Sequence, residues 1–143
     1  MGEINSYQDL DVWKQSRQLV KSIYQLSKAF PKEEQFGLIN QLRRAAISVP
    51  SNIAEGAGRN HKKDSIQFFF IARGSLYEIE TQLIIACDLE FISEDQLREI
   101  LIQVTRCKKF LNGFINYFQK QTNNDQPITI NEQSENHGND YTI

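Results

Sequence analysis

Arg59, His61, Lys62 and Lys63 crowd into one short stretch and form the densest basic cluster of the chain. Side chains of this kind suit the phosphate backbone of a nucleic acid, because each cation that neutralises a phosphate releases a condensed counterion. The plainer reading is a solvated helix corner. Arg106, Lys108 and Lys109 make a second, weaker cluster. Arg43 and Arg44 stand side by side within an otherwise apolar and small-residue stretch. Two readings stand for that pair: a partly buried Arg44–Glu78 ion pair that fixes helix register, or an outward-facing Arg43 that contacts phosphate. The candidate nucleic-acid contacts are therefore Arg43, Arg44, Arg59, His61, Lys62, Lys63, Arg106 and Lys109.

Catalysis finds little to use. Of the two histidines, His61 lies at the corner and His137 in the C-terminal region. The Glu-x-x-His pairs of di-iron bundles are missing. Gly56-Ala57-Gly58-Arg59 lacks the glycine spacing and the Lys-Ser/Thr end of a phosphate-binding loop. Glu55 has no companion base in sequence, and it and Asn52 are expected to satisfy backbone groups freed by Pro50. Cys87 and Cys107 do not read as a disulfide framework and are expected to be buried free thiols. The expectation is a non-enzymatic chain with no cofactor and no metal site.

The elements that must position the basic residues are helices. Val12, Leu19, Ile23, Leu26 and Phe30 form one stripe, which predicts a first helix from Tyr7 to Ala29 with Ser6 as its cap. Pro31 ends it and lets a second begin at Lys32 or Glu33. That second helix carries Leu42, Val49 and Ile53 on one face and fades at Gly56-Ala57-Gly58; Pro50 should kink it. A third helix runs from Lys62 to Leu89, capped by Asn60, with Phe69, Ala72, Leu76, Ile79, Leu83 and Ala86 in a strict alternation of three- and four-residue steps. Phe68, Phe70 and Ile71 fall off that seam and ask for a second covering surface. Ser93 and Gln96 make a capping box for a fourth helix. Folding the second and third helices about residue 59 or 60 places residue i level with 119 − i, so that Ala45 faces Gly74.

After Lys120 the periodicity stops. Of the 16 Lys and Arg, all lie in residues 1–120 against 14 Asp and Glu, a balance of +2; residues 121–143 hold four acids and no base, a balance of −4. The fold class is all-α: an up-down-up-down antiparallel four-helix bundle over residues 1–120, followed by a disordered acidic and polar tail over 121–143. Within the tail, only Pro127-Ile128-Thr129-Ile130 is a candidate docking strand. No apolar run reaches the length of a membrane span, and the polar start lacks a signal-peptide core, so the expected location is cytoplasmic with no membrane partner.

"QLRRAAISVPSNIAEGAGR" followed by "FFFIARGSLYEIETQL" resembles the four-helix-bundle proteins encoded in intervening sequences of bacterial 23S ribosomal RNA genes. The accessory variability determinant of diversity-generating retroelements belongs to the same family. The resemblance runs from about Tyr7 to Phe118. It implies a homopentameric barrel of side-by-side bundles and a nucleic-acid context, either RNA or DNA itself or a processing partner such as a reverse transcriptase. It implies no reaction. A ring would repeat each basic cluster by symmetry and turn a modest charge per chain into a strong local field. The rival is a pure protein-interaction scaffold whose basic residues only solvate its surface.

Overall fold

The computed structural model describes residues 6–124. Four α-helices follow one another: α1 (Asp11–Ser27), α2 (Leu38–Ala57), α3 (Lys62–Asp88) and α4 (Glu94–Asn124). They pack as α1 against α2, α2 against α3, α3 against α4 and α4 back against α1, the up-down-up-down bundle that the stripes imply. One continuous core runs through it, from Leu19 and Ile23 on α1 through Leu42, Val49 and Ile53 to Leu111 and Ile115 on α4. All six seam residues of α3 are fully buried. Phe69 sits at the aromatic end of this core, with the rings of Phe114 and Phe118 at 4.9 and 5.0 Å. Burying a side chain of that size stabilises the fold by about 1.5–3 kcal/mol.

The helix starts differ from the sequence expectation in instructive ways. Ser6 does cap, but it accepts the Gln8 amide of a 3-10 turn (Tyr7–Asp9), and α1 begins only at Asp11. Lys32–Glu34 form a second 3-10 turn, and α2 starts at Leu38. Gly37 has φ −107° and ψ −112°, which is not helical, so the chain cannot run straight from Pro31 into α2. The Glu34 carboxylate then accepts the Leu38 amide at 3.1 Å and caps the helix from four residues upstream. His61, not Asn60, is the cap residue of α3, and no side chain bonds there. The Ser93–Gln96 capping box forms in both directions. Helix α4 extends to Asn124, four residues into the stretch expected as tail; the remainder of that tail, with Pro127–Ile130, lies outside the described residues.

The α2–α3 register is one turn away from the expected one. Ser48 meets Ser75 at 2.9 Å and Gln41 meets Gln82 at 3.4 Å, so residue i is level with 123 − i. Ala45 is buried, but Gly74 is exposed and an added Cβ there would meet nothing. The small residue that lets the two helices approach is Gly56. A Cβ on it would lie 2.5 Å from Phe69 Cε1 and 2.9 Å from the Ser65 carbonyl oxygen. Pro50 is accommodated inside α2. Asn52 donates to the Ser48 carbonyl at 2.8 Å and to its hydroxyl at 2.9 Å, two residues beyond the Ala46 carbonyl that Pro50 leaves without its usual donor.

Candidate nucleic-acid interface

The α2–α3 corner is built by the end of one helix and the start of the next. The Gly58 amide donates to the carbonyls of Ala54 and Glu55 and closes α2. Three residues later, α3 opens at Lys62 with first-turn amides that no side chain caps. Helix N-termini of this kind carry partial positive charge. Arg59 lies over the ring of Phe68 at 4.5 Å and pairs with Glu55 at 3.0 Å, both side chains being about half exposed. Glu55 is thus a surface partner of Arg59, not a support for the backbone around Pro50. The guanidinium also covers one of the aromatic rings that the α3 seam leaves out. Arg73 does the same for Phe70 at 4.9 Å, and Ile71 stays exposed.

Lys62 reaches across the end of the bundle and donates to Gln121 Oε1 at 3.4 Å. That contact brings the last turns of α4 to the corner, and with them the exposed Lys120, which stands outside both basic clusters of the sequence. An antiparallel return of α4 was the signal that could have found it. Arg59, His61, Lys62, Lys63 and Lys120 therefore gather at one end of the molecule, together with the acids Glu55 and Asp64 and, from the start of α1, Asp9 and Asp11. The opposite end is marked by Phe30 against Phe91, ring centroids 5.5 Å apart. It carries Glu33, Glu34, Asp88, Glu90, Glu94 and Asp95, and of its bases Arg98 is paired with Asp95. The opposite end, where Lys28, Lys32 and Arg98 stand against six acids, is net acidic, whereas acids and bases are mixed at the corner.

The other candidate residues lie elsewhere. Arg43 is half-buried and points at α1. Its Nε donates to Ser27 Oγ at 2.9 Å, its Nη2 to the Tyr24 carbonyl at 3.4 Å, and its guanidinium lies 4.5 Å above the Tyr24 ring. It holds α1 to α2, and its donors are turned inward. Arg44 is the exposed member of the pair, and among the described residues no ion pair links it to Glu78. Arg106 and Lys109 are exposed on α4, with Lys109 about 18 Å along the helix from Gln121 at 1.5 Å per residue. Lys108, their neighbour, turns inward to bind Glu80 at 3.1 Å under the ring of Tyr77.

Nothing in this arrangement resembles an activated nucleophile. Both cysteines are free, Cys107 buried and Cys87 half-buried. Burial pushes the Cys107 thiol up to about 12, with the Arg106 charge pulling slightly the other way; a thiol held that far above neutrality is inert. Among the described residues no helix is long and apolar enough to cross a membrane.

The comparisons with known proteins agree with the fold. No curated protein matches the sequence. A solved structure of a protein of unknown function from the S23 ribosomal protein family of Bacteroides thetaiotaomicron superposes with a TM-score of 0.66 at 24% identity, covering 73% of this chain and 97% of that one. The family model for the 23S rRNA-intervening sequence protein matches residues 8–113, most of the helical bundle, and the chain belongs to that family.

Proposed function

We propose that this chain is a non-enzymatic bundle that binds the phosphate backbone of nucleic acid through its basic end. The observation that carries this reading is the convergence of Arg59, His61, Lys62, Lys63 and Lys120 on one end, beside the uncapped first turn of α3 and opposite an acidic end. Phosphate suits such a site because cations and amide donors act together on it. Backbone contact accounts for the residue types, since the aromatic ring at the corner, Phe68, is covered by the Arg59 guanidinium rather than open for a base to stack on. Membership in a family named for 23S rRNA intervening sequences is in keeping with an RNA context.

A second reading, a protein-interaction scaffold, is favoured by the exposed Ile71, Ile85, Leu89, Ile102, Phe110 and Tyr117. The two separate on RNA retention. Reversing Lys63 and Lys120 to glutamate should abolish retention of a generic RNA at low salt while leaving the helical spectrum unchanged. Undiminished retention by that variant would remove the basic end from the binding surface.

A further inference from the structure

A groove of about 330 Å³ opens between the start of α1 and the second half of α4. Leu10 and Val12 are buried in one wall, while Phe110 and Tyr117 on the other stay 39% and 50% exposed. Between those two rings Gly113 leaves an opening, where an added Cβ would meet nothing. Glycine inside a helix is less favourable than alanine, so the opening costs α4 some stability. Past Lys109 the groove runs on into a second, of about 440 Å³, lined by Ile102, Thr105 and Arg106. From Ile100 to Asn124 α4 carries no acid, and Arg106 and Lys109 are exposed. The strip along α4 is therefore apolar at Tyr117 and Phe110 and basic beyond them, with Asp11 as the acid on the α1 side.

Residues 125–143 follow directly on α4 and lie outside the described residues. They hold four acids and no base, the opposite sign to the strip. Their apolar patch is Pro127-Ile128-Thr129-Ile130, with Glu132 two positions on. Pro127 fixes its own φ and biases Gln126 away from the helical region, which favours an extended chain here. Side chains alternate along an extended chain, so Ile128, Ile130 and Glu132 share one side. The lengths match as well. At about 1.5 Å per helical residue, Tyr117, Gly113 and Lys109 lie roughly 10, 16 and 22 Å back from Asn124. An extended chain of about 3.3 Å per residue that reverses at Asp125 carries Ile128, Ile130 and Glu132 roughly 10, 16 and 23 Å back along the same line.

We propose that residues 127–132 fold back along α4 of their own chain, with Ile128 against Tyr117, Ile130 in the opening at Gly113 and Glu132 paired with Lys109. Three matches select this occupant: the spacing of its side chains, the sign of its charge, and a tether at Asn124 that holds it at high effective concentration beside the groove. The inference is independent of the nucleic-acid reading. It gives Lys109 to the chain's own acidic segment and leaves the bases from Arg59 to Lys63 outside the contact.

The test is disulfide trapping in the full chain, with Cys87→Ser as background and copper phenanthroline in air as oxidant. Gly113→Cys with Thr129→Cys places one thiol in the groove and one in the docked segment. Gly74→Cys with Thr129→Cys is the control. The Arg73–Asn112 bond sets Gly74 level with Gly113, on α3, and a Cβ meets nothing at either glycine. A tether without docking reaches both positions about equally, whereas docking should make trapping at Gly113 about tenfold faster. Adding Ile128→Asp and Ile130→Asp should bring that rate down to the control. Lys109→Glu should slow trapping about threefold, and Glu132→Lys in the same chain should restore it. Equal rates at Gly113 and Gly74 would overturn the proposal and leave the groove to another occupant, Met1–Asn5 or a separate protein. Disulfide-linked dimers in place of an internal bond would overturn it in favour of a second copy's segment. A rate that the isoleucine changes leave untouched would overturn it too, and loss at Lys109→Glu without rescue would overturn the charge pair. Circular dichroism of each variant distinguishes lost contact from lost fold.

Discussion

Gly56→Ala tests the closest approach in the bundle. On helix propensity alone, the change should stabilise α2 by up to ~1 kcal/mol. The geometry argues the opposite sign. The new methyl would sit 2.5 Å from Phe69 Cε1 and 2.9 Å from both Phe69 Cδ1 and the Ser65 carbonyl. The carbonyl belongs to the α3 backbone and cannot swing aside. The ring is fully buried and wedged against Phe114 and Phe118, so its retreat would push α4 outward. Overpacking of this kind costs about 1–3 kcal/mol, sometimes more. Set against the propensity gain, the expected net loss is about 1 kcal/mol, or roughly 4 °C in Tm for a domain of this size. Gly58→Ala is the control, because its Cβ meets only the Ala54 and Glu55 carbonyls at 3.6 and 3.7 Å and its φ is −89°. It should be neutral or slightly stabilising. Urea unfolding followed at the helical band measures both. A Gly56→Ala chain as stable as the parent would refute the account of how α2 docks on α3.

Further outcomes follow from the other polar contacts. Arg43→Ala should cost about 1–2 kcal/mol in urea unfolding through the loss of the Ser27 and Tyr24 bonds, and lysine should recover little of it because it lacks the planar fork; Arg44→Ala, at an exposed site, should change stability negligibly. Lys108→Ala should destabilise by about 2 kcal/mol by stranding the Glu80 carboxylate, whereas Lys108→Met, which refills the space, should come closer to the parent. The Cys107 thiol is raised from 9.0 to about 12 by burial, so the fold holds its neutral form. Its contribution should be fully present below pH 9 and decline from there towards pH 12, at up to about 1.4 kcal/mol per pH unit. Urea midpoints of the parent and Cys107→Ala should therefore converge as pH rises above 9, and parallel curves would argue against a buried thiol.

Much of the fold was legible because the signals were local. The strict seam of α3 from Phe69 to Ala86 and the Ser93–Gln96 box depend only on spacing within one helix, and both are as expected. Relations between helices were harder. Arg43 and Arg44 are adjacent and so differ by about 100° around α2; periodicity marks the stripe they flank but not which flank meets α1. Arg43 took that side and Arg44 was left outside. The α2–α3 register was set one turn off because a hairpin folded symmetrically about its corner ignores what Phe69 needs, a glycine opposite its ring. That same shift moved the close contact from Ala45 and Gly74 to Gly56. The start of α2 at Leu38 was hidden in a non-helical Gly37 and a carboxylate that caps from four positions upstream. At the candidate site, Arg59 to Lys63 were visible as a charge run, while Lys120 required knowing where α4 returns.

The most direct measurement is the affinity of a short single-stranded RNA for the full chain across a range of salt concentrations. If the basic end engages the backbone through Arg59, Lys62, Lys63 and Lys120, the logarithm of the binding constant should fall with log salt at a slope of about −3, and Lys63→Ala should reduce that slope by about 0.7. The absence of binding at low salt, or binding whose slope is untouched by Lys63→Ala and Lys120→Ala, would contradict the account.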